Sequence, residues 1–185
     1  MSILFTIFKY LIFSLLLIAI SCSSNSSNKK QQESEERSVE EIYNSAMDYI
    51  SDNKYSKAHD EFIEVERLHP YSIWATRSQI MTSYVNYKLN KYADSVSGAK
   101  RYIELHPGAS DIDYAYYLIA LNHYEQINDY RRDQSFTRNA LEAFNNLIRR
   151  FPNSDYSKDA KLKLDLVNDH LAAKEMDIGR TYQNL

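Results

Sequence analysis

The chain has 185 residues, with only three Gly and three Pro, too few turn-formers for an all-β sandwich or a Gly-rich nucleotide-binding fold. Its formal charge is −3, with Lys and Arg mixed among acids and no basic stripe, which gives no footprint for nucleic acid. A single Cys excludes a disulfide framework within the chain, and 16 Tyr point instead to packed helices and contact surfaces.

Residues 3–20 read ILFTIFKYLIFSLLLIAI, an apolar run ending in small residues. That is the pattern of a secretory signal peptide over residues 1–21. The sole Cys stands at the expected cleavage point, and Ala19-Ile20-Ser21-Cys22 resembles a bacterial lipobox with Cys22 as the lipidated residue. A membrane-spanning anchor is the alternative, since the run approaches the roughly 20 residues that a spanning helix needs. Residues 22–37 then form a flexible tether, because Ser23 to Arg37 includes no large apolar side chain. Ser23 after Cys22 resembles lipoproteins sorted to the outer membrane.

From residue 38 to 185 the pattern is helical. Val39, Ile42, Ala46 and Tyr49 form one amphipathic stripe, and Ala58, Phe62 and Val65 the next. Ile73, Ile80, Tyr84 and Tyr87 make a third, and Val96, Ala99 and Ile103 a fourth. Tyr114, Tyr117, Leu118, Leu121 and Tyr124 follow, then Ala140, Phe144, Leu147 and Phe151, and finally Ala160, Leu164, Val167 and Leu171.

These elements repeat. Pro70, Pro107 and Pro152 fall in equivalent places, 37 and then 45 residues apart. Asn53-Lys54-Tyr55 recurs as Asn90-Lys91-Tyr92, and His69-Pro70 as His106-Pro107, at the first of those intervals. Periods of this length signal a helical solenoid. The register is that of the tetratricopeptide (TPR) pattern, with Ala46, Ala58, Phe62 and Pro70 in the first repeat and Ala140, Phe144 and Pro152 in the third. Ser95 and Ala99 occupy the small and aromatic positions of a degenerate second repeat. The fold class is therefore all-α, a right-handed superhelical TPR solenoid of about three and a half helix pairs, with repeats at about 38–71, 72–108, 109–153 and a partial 154–185. The longer interval holds an eight-residue insert, Ile127 to Gln134, between the two helices of the third repeat. Inserts of this kind map to loops on one face, often a binding face.

In a TPR the first helix of each pair lines the concave face. Here that face would offer Tyr43, Met47, Ile50, Arg77, Ile80, Tyr84, Tyr87, Tyr117 and Tyr124 to an extended client, or else bury some of them as core. Tyr71 and Trp74, at the link into the second repeat, are either contacts or inter-repeat packing. Arg131, Arg132 and Asp133 in the insert are either a docking loop or a solvated charge run with Asp133 capping the next helix. The five His (59, 69, 106, 123 and 170) form no metal pattern. No nucleophile elbow, P-loop or HExxH motif is present, so the reading is a non-enzyme with no cofactor and no metal site.

Several local motifs then converge. His106-Pro107 with Asp113-Tyr114-Ala115-Tyr116, the insert Asp129-Tyr130-Arg131-Arg132-Asp133, and Phe151-Pro152-Asn153-Ser154 with Tyr156 and Asp159-Ala160 stand in order. Leu171-Ala172, Glu175 and Tyr182 close the series. Together with the lipobox and tether, this layout resembles the BamD family, lipoproteins of the bacterial β-barrel assembly machine. The resemblance implies attachment at the periplasmic face of the outer membrane. It implies as partners a BamA-like barrel-forming subunit, the other lipoproteins of the BAM complex, and unfolded outer-membrane proteins awaiting insertion. A different periplasmic TPR adaptor, serving cell-wall or division machinery, is the alternative. The family continues for about two more helix pairs, so the chain reads as truncated at its C-terminus, a fragment or a short form whose open end needs a partner. Leu164, Val167 and Leu171 are expected to lack a stacked neighbour.

Overall fold

The computed structural model describes residues 37–184. The expected signal peptide, Cys22 and all of the expected tether up to residue 36 lie outside the described residues. Among these there are seven α-helices and no strand: α1 (Val39–Ser51), α2 (Tyr55–Leu68), α3 (Ile73–Lys88), α4 (Tyr92–Leu105), α5 (Ile112–Tyr124), α6 (Ser135–Arg150) and α7 (Asp155–Gln183). None of them is long and apolar enough to cross a membrane.

Local chemistry sets the helix ends. Ser38 and Glu41 form a reciprocal capping box at the start of α1, each side chain accepting the other's backbone N–H. Ser72 and Ser154 cap α3 and α7 in the same sense. The repeated Asn-Lys-Tyr turn has a steric cause. Asn53 and Asn90 both adopt φ 58°, the left-handed region that Asn tolerates better than most residues. Each Asn Oδ1 then accepts the hydroxyl of the Tyr two residues on, at 2.8 Å for Tyr55 and 2.9 Å for Tyr92. The three residues before proline, His69, His106 and Phe151, end α2, α4 and α6 with nearly the same backbone angles, φ −133°, −130° and −130°. A residue before proline is driven out of the α region, so each second helix stops there.

Each helix packs against its successor, and the first helices also touch one another, α1 on α3, α3 on α5 and α5 on α7. Among the described residues α2, α4 and α6 make no such mutual contacts. The first helices therefore form an inner row and the second helices an outer one, as in a TPR solenoid. Ala46, Ala58 and Phe62 are fully buried, and so are Ala120, Ala140 and Phe144. Small residues let paired helices approach, and the aromatic ring fills the space one turn on. Each large buried side chain contributes about 1.5–3 kcal/mol.

The second repeat solves the same problem with polar groups. Ser95, wholly buried in α4, donates its hydroxyl to the Ser83 carbonyl of α3 at 2.7 Å. Asn122 of α5, also wholly buried, donates Nδ2 to Ser95 Oγ at 2.8 Å and to the Leu118 carbonyl at 2.7 Å. Three helices are thus joined by one buried chain of hydrogen bonds in which the side-chain donors are used.

Two expectations are corrected. Ile73 is 65% exposed, and α3 instead buries Ala75, Ser78, Ile80, Ser83, Val85 and Asn86. This helix is enclosed by α1, α2, α4 and α5, and close approach selects small side chains over one apolar stripe. At the other end Val167 is fully buried, with Leu164 and Leu171 packed on the same cluster. They do not lack neighbours, because α5 and α6 cover that side of α7. The uncovered apolar positions of α7 are Leu162 and Leu166, 72% and 46% exposed, and further on Met176, Ile178 and Tyr182.

Candidate binding face and inserted loop

The inner row carries several groups of aromatic rings. On α1, Tyr43 lies edge-on to Phe62 at 5.5 Å and against Trp74 of α3 at 4.8 Å. The Arg77 guanidinium covers the Trp74 ring at 5.2 Å, a cation–π contact. Tyr43 and Trp74 are thus inter-repeat packing that leaves part of each ring accessible, and Met47 stands one turn on, 36% exposed. Tyr71 is fully exposed in the link between α2 and α3 and does not join these rings.

On α3, Ile80 is only 3% exposed and belongs to the core, so it is not part of the face. Tyr84 bridges two core clusters and is half-buried, and Ile50 packs on one of them. Tyr87 donates its hydroxyl to Glu125 at 3.0 Å, just past the end of α5. Burial, reinforced by that carboxylate, pushes the Tyr87 phenol up to about 12.

On α5 and α7 the rings are joined to charge. Tyr117 stacks on Tyr156 at 5.1 Å, and Tyr114 meets the same ring at 5.2 Å. Tyr117 donates to Asp159, which also accepts from Lys163 at 2.6 Å. Lys163 in turn lies over the ring of Tyr124, 5.9 Å from its centroid, and Tyr124 is edge-on to Phe144. Burial raises the Asp159 carboxyl, but the bonds from Lys163 and Tyr117 outweigh it and hold the group below the ordinary range. Burial pushes the Tyr114 and Tyr117 phenols well above theirs. At neutral pH these tyrosines are therefore neutral donors with accessible ring surface, suited to binding.

Glu125, Tyr156, Asp159 and Lys163 are part of this face, and helical position alone does not single them out. Lys163 four residues after Asp159 is the one signal the sequence carries for them. Among the described residues no group of His, Cys, Asp and Glu is arranged to hold a metal ion.

Arg131, Arg132 and Asp133 form a separate group on the loop between α5 and α6. Asp129 Oδ1 accepts the Arg131 N–H at 2.8 Å. Gln134, 4% exposed, donates Nε2 to the Tyr130 and Arg132 carbonyls at 3.0 and 3.2 Å. Asp133 accepts from the Ser135 hydroxyl, and hydrogen bonds from Ser135 hold its carboxyl below the ordinary range. Asp133 thus serves the start of α6, where Gln134 makes no side-chain cap of its own.

A family model described as outer membrane lipoprotein, YfiO, matches residues 35–184. The chain is 48% identical over 148 residues to the outer membrane protein assembly factor BamD of Caulobacter vibrioides, covering 80% of this chain and 48% of that protein. It is 41% identical over 141 residues to the protein of the same name in Rickettsia prowazekii, covering 76% and 56%. For that of Neisseria gonorrhoeae the identity is 31% over 158 residues, covering 80% and 59%. The chain thus spans about half the length of the curated relatives it matches. Among solved structures it resembles MamA 41-end from Desulfovibrio magneticus RS-1, with a TM-score of 0.52 at 17% identity over 80% of this chain and 78% of that one, a likeness of fold alone. With a family match running through every described helix and relatives at this identity, the chain belongs to the YfiO family of outer membrane lipoproteins, alongside the BamD assembly factors.

Proposed function

We propose that this chain is a scaffold for the assembly of β-barrel proteins in the outer membrane. It is held at the periplasmic face through lipidated Cys22. It binds a barrel-forming subunit, other lipoproteins of the same machine and unfolded outer-membrane clients, and it catalyses no reaction. The observation that carries this reading is the inner row of half-buried tyrosines, in a chain whose relatives are named outer membrane protein assembly factors. Tyrosine supplies broad contact area at little cost in side-chain entropy. Attachment by one acyl chain is marginal, whereas several chains at about 0.8 kcal/mol per buried methylene hold firmly.

Co-purification of the tagged full chain from membranes tests the reading. Recovery of the barrel-forming subunit is expected. Recovery of cell-wall or division factors in its place would overturn it. A photo-crosslinking side chain at Met47 or Tyr124 should capture an unfolded outer-membrane protein, while one at Ile63 on α2 should not. Equal capture at all three would remove the inner row as the client face.

A further inference from the structure

Charge is not shared evenly along the outer row. Helix α2 holds two Lys or Arg against four Asp or Glu, α4 two against two, and α6 three against one. The row therefore runs from negative to positive along the solenoid. Its positive end is gathered on one side of α6. Arg138, Arg149 and Arg150 line a single open groove there, together with Leu141, Ile148 and the lone acid of the helix, Glu142.

All three arginines are exposed. Arg149 and Arg150 donate to Asn146 Oδ1 at 3.2 and 3.0 Å, and Arg150 lies 5.3 Å from the centroid of the Tyr116 ring. These contacts position the guanidinium groups without neutralising them. Among the described residues none of the three forms a salt bridge. Helix stability does not account for the set. Cations in the last turn complement the helix dipole, which suits Arg149 and Arg150. Arg138 stands at the opposite end, where the dipole disfavours a cation, and the first turn of α6 has no acid to accompany it.

We propose that the arginine face of α6 rests on the headgroup phosphates of anionic phospholipids and so sets how the solenoid sits on the membrane, with α6 toward the bilayer and acidic α2 away from it. A guanidinium takes two phosphate oxygens at once. Each basic side chain brought to an anionic surface raises the docked population about fivefold. The chain belongs to a family of outer membrane lipoproteins, for which headgroup phosphates are the polyanion always within reach. A protein partner would be met through an aromatic or aliphatic anchor at the centre of the patch. This groove has no aromatic residue, and its two apolar ones, Leu141 and Ile148, are packed on the core. Attachment through Cys22 rests on the function proposed above. The choice of face does not.

The full chain, reconstituted into vesicles with a headgroup-borne quencher, tests the proposal. A fluorescent side chain stands at Asn145 on α6 in one variant and at Ile63 on α2 in another. In vesicles of phosphatidylcholine and phosphatidylglycerol in equal parts, Asn145 should be quenched roughly fivefold more than Ile63. That excess should vanish in phosphatidylcholine alone, with Arg138→Glu plus Arg149→Glu, and in about 1 M salt, where the screening length falls to about 3 Å. Equal quenching at both positions in the mixed vesicles overturns the proposal, and so does an excess that persists in phosphatidylcholine. Capture of an acidic protein in place of lipid, by a photo-crosslinking side chain at Asn145 in native membranes, overturns it too. If the unaltered chain washes off phosphatidylcholine vesicles but stays on the mixed ones, attachment through Cys22 fails and the arginine face stands. Release from both refutes both.

Discussion

Gly98 offers a test of helix approach in the second repeat, because the effect of adding one methyl should change sign with its neighbour. A Cβ on Gly98 would lie 2.4 Å from Ser83 Oγ and 3.5 Å from Ser83 Cβ. The first distance is a clash and the second an ordinary contact. Ser83 is 1% exposed and sits in a helix enclosed on several sides, so its hydroxyl has little room to move away. Gly98→Ala gains about 1 kcal/mol of helix propensity. Overpacking of a closed interface costs about 1–3 kcal/mol. The sum is a net loss of roughly 1 kcal/mol. Ser83→Ala removes Oγ and leaves the Ser95 bond intact, since that bond ends on the Ser83 carbonyl. In that background Gly98→Ala should stabilise by the propensity alone. Gly179 in α7 is the control: nothing lies within 4 Å of its added Cβ, so Gly179→Ala should stabilise by about 1 kcal/mol throughout. Urea unfolding of the four variants of the cycle gives the coupling, provided m is unchanged. If Gly98→Ala stabilises equally in both backgrounds, α3 and α4 do not approach one another this closely.

Three further outcomes are expected. Asn90→Ala should cost about 1–2 kcal/mol, because φ 58° is unfavourable for a side chain with a plain Cβ, while Asn90→Gly should be nearly neutral in unfolding midpoint. Phe62→Ala and Phe144→Ala should each cost about 3–5 kcal/mol, and a thermal melt unchanged by both would refute the repeat register. The carboxyl of Asp159 is lowered in the folded state, so its contribution is present above the unfolded Asp value of about 3.9 and is lost as pH falls through the folded value. Asp159→Asn should therefore lower the melting temperature at neutral pH, with the gap closing in acid. A gap independent of pH would show that the charge is not involved.

The sequence shows the solenoid plainly where apolar residues mark it. Ala58 with Phe62 and Ala140 with Phe144 are readable because few arrangements besides a closely packed helix pair place a small and an aromatic residue at that spacing before a proline. It shows the second repeat only in part: Ser95 stands at the small position, but the bonds that join it to the Ser83 carbonyl and to Asn122 leave no apolar mark. A reading by apolar stripes passes over buried Asn122 and Ser83 and recruits Ile73 to a stripe that does not include it. The inner face is half legible. Helical position locates Tyr43, Tyr84, Tyr87 and Tyr124 on the first helices. Whether such a residue is free or spent on packing depends on neighbours tens of residues away. Ile80 and Tyr84 differ by one turn, yet one is core and the other is half-exposed.

The inner row adds bonds to carboxylates to the aromatic packing between repeats. Within a pair, buried apolar contacts dominate, and they do not depend on charge. Between pairs, Tyr87 reaches Glu125 and Tyr117 reaches Asp159, each joining the first helix of one repeat to the next. These bonds are partly exposed, so their energies are modest and sensitive to salt and acid. Perturbing them should alter how one repeat sits on another while leaving every pair folded.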